Sequence, residues 1–96
     1  FDESAPIAAI HPVASHGHHS TGKIWLKVNG EMRQQADLSE MIWNVPDTIA
    51  YLSEYYLLKP GDLIYTGTPA GVGAVKKGDQ MVGSVEGLGE LAVSVT

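Results

Sequence analysis

The run from Pro60 to Gly73 constrains the fold of this chain most: Pro-Gly-Asp-Leu-Ile-Tyr-Thr-Gly-Thr-Pro-Ala-Gly-Val-Gly. Pro60-Gly61-Asp62 is a turn signal, and it launches a short apolar run, Leu63-Ile64-Tyr65. That run reads as a strand. It breaks into a loop built from Thr66, Gly67, Thr68, Pro69, Gly71 and Gly73. A strand ending in a Gly/Thr-rich loop is a common way to build an anion site. Glycine lets a backbone approach a ligand, and successive N–H groups can converge on one oxygen. Thr68 adds a hydroxyl donor. The plainer alternative is a simple connection between two strands.

The segments on either side set the fold class. Lys23 to Val28 alternates, with Ile24, Leu26 and Val28 on one face. Asn29-Gly30 is a strong two-residue hairpin signal, because both residues tolerate the positive φ of a type I′ turn. Glu31 to Gln35 returns as the partner strand. Asp37-Leu38-Ser39-Glu40 has the form of a capping box. Ile42, Val45, Ile49, Leu52 and Tyr56 recur at helical spacing, and Pro46 fits a first turn, so one main helix is expected over about residues 46–56. Lys76-Lys77-Gly78-Asp79 reads as a turn. Met81 to Glu86 and Glu90 to Val95 read as strands around Gly87-Leu88-Gly89. Phe1 to Val13, with Pro6 and Pro12, reads as irregular extended chain or an edge strand. Ala14 to Gly22 reads as a loop. One helix among several strands in mixed order makes the class α+β.

Composition narrows the function. A chain of 96 residues suits one small domain. A domain of this size buries somewhat over ~60% of its unfolded surface, so it is marginal on its own. Six basic residues against 11 acidic ones give a net charge of −5. With no basic stripe, nucleic acid is a poor partner, and an acidic surface does not attract an anionic membrane. Cysteine is absent, which removes disulfides and thiolate metal sites and suits a reducing cytoplasm. Nothing approaches a membrane-spanning apolar run, and residues 1–20 lack the pattern of a signal peptide. The chain opens on Phe1 with no initiator Met, which reads as truncation at the N-terminus, inside a larger domain.

Four constellations invite a catalytic reading. His16, His18 and His19 carry good ligand chemistry, but adjacent histidines in a Gly/Ser loop need a fourth ligand to close a metal site, so they read as a solvated loop. Glu86 and Glu90 flank a turn and read as hairpin shoulders, and Glu31 with Arg33 as a surface ion pair or a fixed hydrogen bond on one strand face. Trp25, Trp43, Tyr51, Tyr55 and Tyr56 read as core or interface, with Tyr55 off the apolar helical face as a candidate oligomer contact.

The motifs together resemble one family. Thr66-Gly67-Thr68-Pro69 with Gly71-Val72-Gly73 is similar to the active-site loop of the fumarylacetoacetate hydrolase family. Leu26 to Gln34 resembles its hairpin. Met41-Ile42-Trp43 and Ile49 to Ser53 resemble its helix. Lys77-Gly78-Asp79 and Val85 to Gly89 resemble its closing strands. Phe1-Asp2 with Pro6 resembles the segment after an active-site lysine. Only Ala14 to Gly22 lacks a clear counterpart. Within the family, Met41 to Pro46 and Pro69 to Val75 look most like the bacterial branch acting on fumarylpyruvate.

The resemblance implies a mostly β, mixed-sheet β-roll of the fumarylacetoacetase C-terminal type, of which residues 1–96 form the C-terminal portion. It implies a homodimeric cytoplasmic enzyme of aromatic catabolism that hydrolyses a carbon–carbon bond in a small diketo acid of the acylpyruvate type. Isomerases and decarboxylases of related diketo acids belong to the same family, and an inactive binding or dimerisation module is the alternative from another class. The family uses a divalent cation, usually Mg2+, held by carboxylates upstream of the position matching Phe1, where the water-activating pair and the lysine also lie. No metal ligand or catalytic base is therefore assigned in this chain, and residues 1–96 alone are expected to be inactive. What carries over is Thr68, matching the threonine that holds the substrate carboxylate, and Gly67, matching the glycine that lets the loop approach it.

Overall fold

The computed structural model describes residues 5–96, so Phe1-Asp2, which carries part of the family resemblance, lies outside the described residues. The elements are α1 (Val13–His16), β1 (Lys23–Val28), β2 (Glu31–Asp37), a 3-10 turn (Leu38–Glu40), α2 (Val45–Ser53), β3 (Gln80–Val85) and β4 (Glu90–Ser94). The four strands form one sheet in the order β2-β1-β3-β4. All three pairings are antiparallel. The expected α+β class is thus observed.

The β1–β2 hairpin turns where the sequence places it. Asn29 has φ 52° and Gly30 φ 78°, the positive pair that matches the twist of the flanking strands. The turn is also tied to β3. Asn29 Nδ2 donates to Asp79 Oδ1 at 3.0 Å, and Asn29 Oδ1 accepts from the Gln80 N–H at 2.9 Å. Asp79 is buried and accepts from the Lys76 N–H at 2.9 Å. That backbone donor first, and the Asn29 amide second, hold its carboxyl below the ordinary carboxylate value.

Register decides what faces the interior. Ile24, Leu26 and Val28 pair with Val85, Gly83 and Met81, and Met81 and Gly83 pair in turn with Val93 and Leu91. Opposed residues share a face, so these side chains make one apolar surface. Val28 is its most buried member. On the other face Lys27 lies over the Trp25 ring, 5.1 Å from its centre.

A β-bulge interrupts β2. Leu26 pairs with Gln34 but Lys27 pairs with Met32, which leaves Arg33 without an opposite residue. The extra residue breaks the simple alternation, so the two-residue spacing of Glu31 and Arg33 does not by itself set them on one strand face. The same bulge sets Gln34, a polar side chain, opposite Leu26 on the apolar face.

Helix α2 is shorter than the periodicity predicts. Asn44 caps it, its side chain accepting from the Asp47 N–H at 2.8 Å, and Pro46 lies in the first turn. It ends at Ser53 because Glu54 and Tyr55 donate three residues back, to Tyr51 and Leu52, and tighten the turn. The capping box forms as expected: Asp37 accepts from the Ser39 N–H and Glu40 from the Asp37 N–H. The element it caps is the 3-10 turn, separate from α2.

Two expectations change. Leu63-Ile64-Tyr65 is not paired as a strand. The sheet edges are β2 and β4, and a strand exists only where a ladder partner meets it. Residues 5–12 are irregular, the first of the two readings offered for them, whereas the predicted loop after them begins with the single helical turn α1, closed by the Gly17 N–H on the Val13 carbonyl.

Candidate substrate-carboxylate loop

Residues 66–73 fold back over β2. Two contacts seat them. Gly71, at φ 107°, lies over the Arg33 carbonyl so closely that a Cβ there would collide with its oxygen. The bulge at Arg33 therefore provides the place where the loop lands. One residue along, the buried Gln34 side chain rises from the apolar face. Its Nε2 donates to Thr68 Oγ1 at 2.7 Å and to the Pro69 carbonyl at 2.6 Å.

This arrangement defines what Thr68 can do. Its hydroxyl has one hydrogen to give and two lone pairs. One lone pair takes the Gln34 amide, and the O–H remains free to donate. The Thr68 N–H has no acceptor among the described residues, and Pro69 has no N–H to compete. Thr68 is solvent-exposed. Two adjacent donors on an exposed loop suit a carboxylate oxygen pair. Gly67 has φ 96° with no protein atom within 4 Å of where a Cβ would lie, so its backbone conformation, and not crowding, requires glycine.

Thr68 and Pro69 separate two cavities. One, of about 620 Å³, is lined by Pro6 and His11 from the N-terminal segment, Gln34, and the apolar sheet residues Leu26, Val85 and Leu91. The other, of about 780 Å³, is lined by Asp37, Met41, Trp43, Tyr65, Thr66 and Gly67. Asp37 is held below the ordinary carboxylate value, chiefly by the Ser39 N–H.

The histidines scatter. His16 meets His11 ring to ring, Nε2 to Nδ1 at 3.2 Å, and its Nδ1 meets the Ser15 hydroxyl at 3.0 Å. His19 instead packs against Gly87. Among the described residues no group of three or more His, Asp or Glu side chains is placed to hold a metal ion. The Asp37 and Asp79 carboxylates are already committed to backbone N–H groups. These residues do not fit a divalent-cation site.

The sequence singles out Thr68 and Gly67 and gives no sign of Gln34, which the structure sets against Thr68. The missing step was the bulge, since a regular β2 gives no reason to single out one of two successive glutamines.

The chain matches the fumarylacetoacetate hydrolase C-terminal family over residues 1–96. It is 55% identical over 74 residues to the fumarylpyruvate hydrolase of Ralstonia sp, covering 77% of this chain and 38% of that protein. It is 41% identical over 95 residues to the mitochondrial oxaloacetate tautomerase of Homo sapiens, covering 99% of this chain and 43% of that one. The crystal structure of fumarylpyruvate hydrolase from Pseudomonas aeruginosa in complex with Mn2+ and pyruvate superimposes with a TM-score of 0.96 and 50% identity, over 100% of this chain and 41% of that one. The chain thus spans about two fifths of the length of these relatives. The family match over the whole chain and the close superposition on a solved relative agree, and the chain belongs to the fumarylacetoacetate hydrolase family.

Proposed function

We propose that this chain is the C-terminal portion of the catalytic domain of a metal-dependent hydrolase that cleaves a carbon–carbon bond in an acylpyruvate, fumarylpyruvate being the favoured substrate, and that Thr68 and Gly67 belong to the loop holding the substrate carboxylate. One observation carries the reading: the Thr68 hydroxyl accepts from Gln34 and so keeps its own hydrogen for an anion, beside an unengaged N–H. The pyruvate bound with Mn2+ in the Pseudomonas relative is a small keto acid of the class such a loop would hold.

The work of this chain is binding and orientation. Thr68 fixes the carboxylate end through two donors, and the cavity walls beside it shield the rest of a small diketo acid from water. The divalent cation, Mg2+ or Mn2+, would act as a Lewis acid toward the keto-acid oxygens. Its ligands and the water-activating base are those the family places upstream of the position matching Phe1, so residues 1–96 alone are expected to show no turnover. A homodimer in the cytoplasm completes the reading. Among the described residues no helix is long and apolar enough to cross a membrane.

Thr68→Val removes the hydroxyl and keeps the shape. A hydrogen bond to a charged group contributes roughly 1.5–3 kcal/mol, about ten- to 150-fold in a rate ratio. In the full-length protein with its cation, kcat/KM for an acylpyruvate falls by about that factor, largely through KM. An unchanged kcat/KM in folded, metal-loaded Thr68→Val enzyme overturns the assignment.

A second reading has its own support. The human relative, matched over 99% of this chain, is an oxaloacetate tautomerase. Tautomerisation of a keto acid needs the same carboxylate grip and no hydrolytic water. Product analysis separates the two: hydrolysis gives two carboxylic acids, tautomerisation an isomer of unchanged mass.

A further inference from the structure

We infer that Gln34 is the positioning residue of the carboxylate loop: its side-chain amide sets the direction of the Thr68 hydroxyl and clamps the loop backbone through Pro69. The inference rests on the reading of Thr68 as a carboxylate donor and adds the residue that makes it one.

Chemistry fixes the amide's orientation. The Pro69 carbonyl can only accept. The group 2.6 Å from it must therefore be the Gln34 NH2 and not the amide oxygen. That NH2 has two hydrogens. One goes to Pro69, and the second reaches Thr68 Oγ1 at 2.7 Å. Thr68 must then accept, and its hydroxyl hydrogen turns away from Gln34. A hydroxyl that accepts one bond is polarised into a better donor for the next. Gln34 is only 9% exposed, and its position opposite Leu26 anchors it to the sheet's apolar face. Thus a buried strand residue orients an exposed loop hydroxyl. The two bonds hold successive residues, Thr68 and Pro69, so loop backbone and hydroxyl are fixed by one group.

Two variants probe this. Gln34→Met keeps length and removes the donors. Gln34→Glu keeps shape and puts carboxylate oxygen against the Pro69 carbonyl, where it repels, and against the Thr68 hydroxyl, whose hydrogen it captures. The readout is pyruvate affinity of the full-length, Mn2+-loaded protein by calorimetry, alongside kcat and KM for an acylpyruvate. Each variant is compared in the Thr68 and the Thr68→Val backgrounds.

Gln34→Met is expected to weaken pyruvate binding about tenfold, and Gln34→Glu at least as much, with KM rising more than kcat falls. In the Thr68→Val background the same Gln34 substitutions are expected to cost no more than about threefold, because the hydroxyl they orient is gone. A general loss of packing would cost the same in both backgrounds, and that additive result overturns the inference while leaving Thr68 as a carboxylate donor. Full affinity in folded Gln34→Glu overturns it as well, and this variant stands in if Gln34→Met fails to fold. If Thr68→Val alone leaves pyruvate binding intact, the carboxylate reading itself fails and this inference fails with it.

Discussion

Gly71 and Arg33 meet so closely that the space above the Arg33 carbonyl admits a hydrogen and nothing larger. Arg33 is the bulged residue of β2, so a local fault in one strand becomes the seat of the loop carrying Thr68. Gly71→Ala is expected to unseat the loop. A Cβ there also meets an unfavourable φ of 107°, and together overpacking and strain cost on the order of 1–3 kcal/mol. The checks are the urea midpoint and, in the full-length enzyme, KM, which is expected to rise. A Gly71→Ala protein with unchanged midpoint and KM would show the loop relaxing freely.

The hairpin turn offers a cleaner backbone test. Gly30 has φ 78° with open space beside it, so substitution there tests conformation alone. Gly30→Val forces a β-branched residue to positive φ and is expected to cost about 1–3 kcal/mol. Gly30→Asn, which tolerates that region, is expected to recover most of the loss. Chemical denaturation of both variants checks the pair.

Asp79 makes stability depend on pH. Its folded carboxyl is held below the ordinary value of 3.8 by the Lys76 N–H and the Asn29 amide. Folding therefore favours the charged form. The contribution is present above the unfolded pKa and is lost as pH falls through the lower folded value. Asp79→Asn turns one acceptor into a donor facing donors, so its denaturation midpoint at neutral pH should drop. Its midpoint should also change less between pH 5 and pH 3 than that of the parent protein. Parallel acid profiles for the two proteins would refute the assignment.

Helix α2 depends on its cap. Asn44→Ala removes the bond to the Asp47 N–H and is expected to cost about 0.5–2 kcal/mol. Asn44→Asp, which keeps the acceptor and adds charge at a helix start, is expected to restore it. Thermal unfolding by circular dichroism distinguishes the two.

Much of this molecule was legible in its sequence because the signals are local. Alternation in Lys23–Val28 and the positive-φ pair Asn29-Gly30 define β1 and its turn without help from distant residues. The box Asp37–Glu40 closes on itself, and the glycine- and threonine-rich run 66–73 has the composition of its loop. The identity of the family rested on the same short stretches.

Relations between distant segments required the tertiary structure. A bulge depends on how β2 registers against β1, and nothing within Glu31–Asp37 reveals that Arg33 is the residue without a partner. Gln34 acquires its role only when Thr68, 34 positions later, is brought to it. Leu63-Ile64-Tyr65 has strand composition, yet a strand needs a ladder partner, and the segment pairs with neither of the sheet's edge strands, β2 or β4. Helix α2 ends early because backbone donors found nearer carbonyls, a choice that side-chain periodicity does not record. The sequence by itself determined which local shapes were possible, since dihedral preference and capping act over a few residues. Only the tertiary structure decided which buried amide would orient which hydroxyl, because hydrogen bonds between distant segments exist only once the sheet has set them side by side.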